Sequence, residues 1–392
     1  MTLLRHPIRS VLALLCLGLA AWVAAPAISG ARYLPGAVDF EQAVPSGAER
    51  VELPAEATSS RSIAKAGGDR EAGYRTAPIV APKRFDLAGI AKETRHYELR
   101  GRDSGGEWSE WVETGSGDPV YFGGADELQI RAHGFQPDGE IHYVNVSGTA
   151  TPGAGALTAA RTAINGAWID TTTLIAPSAD AETGKPDFVS RREWGASGRG
   201  GCEPRKRPDK GKVKAAVIHH TVSANNYSRS EAAGLVLGIC RFHRNGNGWD
   251  DIGYNALVDR FGRIYEGRDG GLGRPVVGAH ALGFNDQTAG VAALGTFSST
   301  KVSQRLKRGI ADFLAWKLDH HDIDPVDRAR LKSGGGDRGT NPYPEGKRVT
   351  VDTVTKHRRL SNTDCPGNVL NREIESIAKL TKRKIQRSRD ER

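Results

Sequence analysis

The chain has 392 residues, 38% hydrophobic and 26% charged, with 48 Gly and 19 Pro. That length favours two domains over one, and the composition excludes a disordered or fibrous chain while predicting many loops. The formal charge of +9 is concentrated at the ends: residues 1–27 carry two arginines and no acid, residues 379–392 carry seven basic side chains against Asp390 and Glu391, and the body between them is only +2. No basic stripe interleaved with aromatics is left, so nucleic acid is not an expected partner.

Arg5 and Arg9 precede an uncharged run over residues 11–27 that ends in Ala25-Pro26-Ala27. A basic start, an apolar stretch and a small-x-small ending predict a signal peptide over 1–27 and a secreted protein, extracellular or associated with a cell wall. A retained anchor is the competing reading, because 17 residues sit at the lower edge of a bilayer span. Leu15 precedes Cys16 where a lipoprotein signal requires a small residue, so lipidation is not expected.

Residues 28–80 are rich in Ala, Gly, Ser and Glu without sustained periodicity and read as a flexible segment. Short alternating runs follow within residues 81–148, separated by Gly and Asp clusters, and predict a small all-β domain of sandwich type. Trp108 and Trp111 lie there on opposite faces of one run, readable as core or, for one of them, as a platform for a sugar ring. Residues 149–186, mostly Ala, Thr, Gly and Pro, read as a linker.

From 187 to 380 strands and helices intermix. Residues 213–218 form a buried-strand pattern that ends at His219 and His220, and Ser228-Arg229-Ser230-Glu231 has capping-box spacing ahead of a helix. Residues 253–259 and 263–266 read as a hairpin and 290–294 as a further strand, while 302–318 and 370–378 carry helical periodicity. The expectation is an α/β domain in which helices flank a mixed central sheet. A Gly-rich loop over 333–346 interrupts it, and residues 381–392 read as a basic tail, either solvated or attracted to an anionic cell envelope.

His357 and Cys365 stand eight positions apart across a loop, and His219 waits at a distant strand end. Two imidazoles and a thiolate suit Zn²⁺, and three protein ligands leave a fourth position open, as in catalytic sites. The competing reading makes His357 a surface residue and Cys365 a buried thiol. Zinc at Cys365 leaves Cys202 and Cys240 as the remaining disulfide candidates outside the signal segment.

Five motifs in order extend this reading: Val217-Ile218-His219-His220-Thr221, Trp249 through Asn255, Tyr265-Glu266-Gly267-Arg268, Gly278-Ala279-His280-Ala281, and His357 through Thr363-Asp364-Cys365-Pro366-Gly367. Their order and spacing resemble the peptidoglycan recognition protein and phage-type amidase family over about residues 188–380. The resemblance implies a zinc-dependent N-acetylmuramoyl-L-alanine amidase acting on peptidoglycan, with zinc ligands His219, His357 and Cys365. It also implies catalytic roles for Tyr254, as the tyrosine that assists the water or the tetrahedral intermediate, and for Thr363. His220, Thr221 and His280 are the expected substrate contacts, His220 because neighbouring strand residues face opposite ways and cannot share one metal. The rivals are a module that binds peptidoglycan without cutting it and a cell-wall adhesion protein. Residues 267–273 lack the Gly-Lys-Ser/Thr of a phosphate loop, so no nucleotide is expected.

Overall fold

The computed structural model describes residues 36–53, 72–92, 95, 97–114, 117–148, 185–198 and 200–391. The expected signal peptide and all but the last two residues of the expected linker lie outside the described residues.

The N-terminal half contains β1 (Val38–Ala43), β2 (Glu49–Glu52), β3 (Ala72–Arg75), β4 (Ile79–Ile90), β5 (Tyr97–Arg102), β6 (Val112–Thr114), β7 (Val120–His133) and β8 (Glu140–Asn145). All eight join one hydrogen-bonded sheet in the order β1-β8-β4-β7-β3-β2, with β5 paired to β6 and β7. The expected all-β domain is thus built as one hydrogen-bonded sheet. Register shifts in β4 between Val80 and Phe85 and between Phe85 and Leu87 let the long strands bend. They bend around one apolar cluster that includes Phe85, Tyr97, Leu99, Leu128, Ile130 and Tyr143.

The sheet corrects the flexible reading of 28–80 over its described residues, 36–53 and 72–80. β1 pairs with β8 along its whole length from Val38↔Asn145 to Ala43↔Glu140, and β2 pairs with β3. Their signal was weak because both faces are only partly covered, so the sequence shows no clean alternation.

Trp108 and Trp111 are neither core nor open platforms. The Arg100 guanidinium lies 4.8 Å from one ring and 4.5 Å from the other, Arg102 covers Trp108 at 4.3 Å and Arg131 covers Trp111 at 4.4 Å. The guanidinium groups thus pack against both rings.

In the C-terminal half, β9 (Phe188–Val189), β10 (Ala215–His220), β11 (Ala256–Val258), β12 (Ile264–Glu266), β13 (Thr288–Ala293) and β16 (Val354–Lys356) form a mixed sheet ordered β16-β10-β13-β11-β12-β9. A separate hairpin pairs β14 (Arg328–Lys332) with β15 (Arg348–Asp352). Strand β10 is parallel to both its neighbours, β13 and β16, and is buried at all six positions, as its unbroken apolar run requires.

Helix α1 (Glu231–Arg241) covers one face of this sheet. Its start is the expected capping box: Glu231 accepts from the Ser228 amide at 2.6 Å while Ser228 Oγ accepts from the Glu231 amide at 3.3 Å. Helices α2 (Gln304–Asp319) and α3 (Asn368–Asp390) cover the other face through Leu306, Ile310, Phe313, Leu370, Ile374 and Ile377. Ser303 caps α2 by accepting from the Leu306 amide at 3.1 Å.

The basic tail is therefore a helix. Lys382 bonds Asp324 at 2.8 Å, Arg389 reaches Asp319 at 2.6 Å and Lys384 reaches Asp312. These pairs answer part of the local charge excess within the molecule, although pairs this exposed contribute little stability.

The two halves share a core. Leu87, Tyr121, Val144 and Val146 of the β domain belong to the same apolar cluster as Leu235, Val236, Ile239, Cys240 and Phe242. Gly89 of β4 makes this approach feasible, since a Cβ there would stand 2.5 Å from Phe242 Cζ. Beside this seam, Arg241 Nε donates to Asp39 at 2.8 Å, and Asn245 Nδ2 donates to the same carboxylate.

Candidate metal and active centre

His219 lies near the carboxyl end of β10, and His357 opens the turn that follows β16. The parallel register Ile218↔Lys356 places the next residue on each strand side by side, and the two rings lie 4.4 Å apart. Cys365 comes from the loop ahead of α3. That loop is held by Arg358, whose amide donates to the Cys365 carbonyl at 2.9 Å, and by Thr363, whose hydroxyl accepts from the Cys365 amide at 3.2 Å.

One donor atom from each of His219, His357 and Cys365 lies within 4.8 Å of the other two, and all three residues are buried. Cys365 Sγ stands 3.7 Å from His219 Nδ1 and accepts from the His220 amide at 3.4 Å. Burial lowers His357 to about 3 and holds His219 well below the usual imidazole range, with the neighbouring histidines adding to the effect. Neutral imidazoles are the ligand form. Burial also pushes the Cys365 thiol up, which a cation beside the sulfur reverses. The donor set thus fits Zn²⁺. A second group, Cys202, Cys240 and Asp251, is equally close, but its two sulfurs form the Cys202–Cys240 disulfide. Cys365 is the free cysteine among the described residues.

His280 approaches the site from outside the donor set. Its Nδ1 lies 3.1 Å from His219 Nε2, the ring nitrogen facing away from Cys365. This contact orients the His219 ring. Gly278 and Gly290 leave room for its ring, since a Cβ at either would stand 2.5 Å from it.

His220 and Thr221 continue the chain past the first donor. His220 faces away from the donors, and its Nδ1 accepts from the Phe297 amide at 3.2 Å. Thr221 Oγ1 lies 2.8 Å from Ser223 Oγ and accepts from the Gly295 amide. Both side chains are buried.

Tyr254 stands with its ring 5.2 Å from that of His219. Burial and the adjacent Asp118 carboxylate hold its phenol protonated, well above the usual range. Tyr254, His280 and His357 open on a cavity of about 360 Å³ with Trp249, Leu282 and Thr340 on its walls. Thr340 belongs to the Gly-rich 333–346 loop, which therefore borders the groove. Lys92, Gly117 and Asp118 also line it, and they come from the β domain. Sequence reading missed these three because no local pattern ties residues 92 and 117 to a site 100 or more positions away.

The mixed sheet and this buried donor set define an α/β domain with a candidate metal centre. The family model described as N-acetylmuramoyl-L-alanine amidase matches residues 209–368. Peptidoglycan-recognition protein SC2 of Drosophila simulans is 31% identical over 189 residues, 48% of this chain and 84% of that protein. An N-acetylmuramoyl-L-alanine amidase of Sus scrofa is 31% identical over 194 residues, 49% of this chain and 27% of that protein. Among solved structures, Drosophila PGRP-LB is 26% identical and aligns over 48% of this chain and 93% of its own, with a TM-score of 0.37. The chain belongs to the peptidoglycan-recognition protein family. No helix among the described residues is long and apolar enough to cross a membrane.

Proposed function

We propose that the protein is a secreted, zinc-dependent N-acetylmuramoyl-L-alanine amidase that hydrolyses the amide between the muramic acid lactyl group and the first L-alanine of the stem peptide. The observation that carries this reading is the buried cluster of His219, His357 and Cys365, with the Tyr254 ring beside His219 and both Tyr254 and His357 on the cavity wall. Zinc, when bound, supplies a water acidic enough to attack near neutral pH and polarises the scissile carbonyl. His219, His357 and Cys365 would hold it. His280 fixes the His219 ring, Tyr254 assists the water or the oxygen on which charge develops, and Thr363 shapes the Cys365 loop and takes the catalytic role that the resemblance implies for it. His280 and Thr340 on the cavity wall contact the substrate. Cys365 and Tyr254 together favour an enzyme over a non-catalytic binding module, which has no use for a thiolate ligand.

Mass spectrometry of purified peptidoglycan digested with the protein tests the reading. Free L-alanine amino groups without new reducing sugar ends are expected. New reducing ends, or cleavage between two amino acids, would exclude it.

A further inference from the structure

Asp118 belongs to the β domain, in the turn Gly117-Asp118-Pro119 ahead of β7, yet its carboxylate lies inside the amidase site. It is 8% exposed. Tyr254 Oη donates to it, at 2.7 Å from Oδ2 and 2.9 Å from Oδ1. His243 Nε2 lies 3.0 Å from Oδ1. The other ring nitrogen, His243 Nδ1, faces the Gly253 amide at 3.1 Å. An amide N–H can only donate, so Nδ1 is the acceptor and the imidazole proton sits on Nε2, pointing at Asp118.

The turn that carries Asp118 is held by the amidase half. Asn247 Nδ2 donates to the Gly117 carbonyl at 2.7 Å, and its Oδ1 accepts from the Lys92 amide at 3.3 Å. Gly117 has a φ of +87°, and a Cβ there would stand 2.7 Å from Asn247 Nδ2, so glycine suits both the backbone and the close approach. His243 and Asn247 both belong to the chain that continues α1, through the π-helical turn Phe242–Gly246 and just beyond it.

We propose that Asp118 is a positioning residue of the amidase reaction, through which the β domain fixes the hydroxyl of Tyr254. The inference rests on the amidase reading above. A phenol has one proton. While that proton is given to Asp118, the Oη lone pairs are free for the cavity, and Tyr254 accepts a hydrogen bond from the attacking water and orients it. Donation to the developing oxyanion requires the proton to leave Asp118. Asp118 therefore sets both where Oη stands and which role it plays when attack begins, and the β domain is part of the catalytic unit.

The test is a double-mutant cycle in the full-length, zinc-loaded protein, using Asp118→Ala, the near-isosteric Asp118→Asn and Tyr254→Phe. Zinc content and the melting curve are recorded for every variant. Asp118→Ala should lower kcat by about 10- to 100-fold, the scale of a misplaced reacting group, with KM and zinc content unchanged. Asp118→Asn should recover part of the loss, since it keeps a carbonyl acceptor. Neither change should lower kcat further in a Tyr254→Phe background. Independently of turnover, the ¹³Cζ resonance of Tyr254, assigned by its loss in Tyr254→Phe, should move in Asp118→Asn. An unmoved resonance, or equal losses in the parent and Tyr254→Phe backgrounds of an active protein, overturns the role of Asp118 alone. A parent protein that releases no amidase product overturns the amidase reading, and with it the catalytic purpose of Asp118.

Discussion

Cys365 and Tyr254 flank His219 but answer to different chemistry, and their substitutions should separate. Cys365→Ser exchanges a soft thiolate for a hydroxyl that is neutral near pH 7 and a poor match for zinc, so bound metal and hydrolysis should collapse together. Metal analysis beside a turnover assay checks this, and a fully active serine variant would refute the ligand assignment. Tyr254→Phe should retain zinc and lose about 10²-fold in turnover, the scale of losing one oxyanion-type contact. The histidines carry a pH consequence. Burial lowers His280 and His357 to about 3, against about 6.5 in an unfolded chain. Between those values the unfolded chain binds protons that the native one does not. Their stabilising contribution is complete above pH 6.5 and is lost as pH falls toward 3. The melting temperature of chelator-treated protein should decline steadily below pH 6.5. A flat profile down to pH 4 would mean that these imidazoles are not held neutral and buried.

Helix α1 and strand β4 meet where Phe242 lies over Gly89. A methyl at position 89 would stand 2.5 Å from Phe242 Cζ and 3.3 Å from the Pro119 Cα, and overpacking of a closed seam costs about 1–3 kcal/mol. Gly89→Ala should lower the melting temperature, and Phe242→Leu should restore part of it by removing the ring that clashes. Additive losses in the double variant would place the strain elsewhere. This seam was not legible in the sequence, for a physical reason. Periodicity reports that Leu235, Val236 and Ile239 share a buried face, but not which element covers it. The elements themselves were readable where one side was fully buried. The apolar run of β10 and the capping box of α1 are examples, and the α2 repeat was another. The ligands were readable as well, because His219, His357 and Cys365 sit inside motifs with local spacing. Reading failed where the signal was spread out. Strands β1 to β3 are half-covered, the α3 extension is too basic to look buried, and Asp118 gains its role only through the tertiary approach of Tyr254 and His243.

At the scale of the whole molecule, the β domain and the α/β domain pack as one unit. Its shared cluster joins Leu87, Tyr121, Val144 and Val146 to the α1 face. Asp39, held below the usual carboxylate range by His142 and Arg241 against the opposing effect of burial, joins the halves by polar contacts. A boundary that buries apolar side chains and closes a site differs from a linker joint, across which domains move independently by default. Calorimetry of the full-length protein should therefore give one unfolding transition for residues 38–391 rather than two. A fragment of residues 187–392, made alone, leaves the outer face of α1 and Phe242 in water. It should melt lower, bind an environment-sensitive apolar dye, and turn over peptidoglycan more slowly than the full chain even where zinc is retained, because Tyr254 has lost Asp118. Two transitions in the full chain, with one coinciding with the melt of an undiminished fragment, would show that the halves fold and work apart.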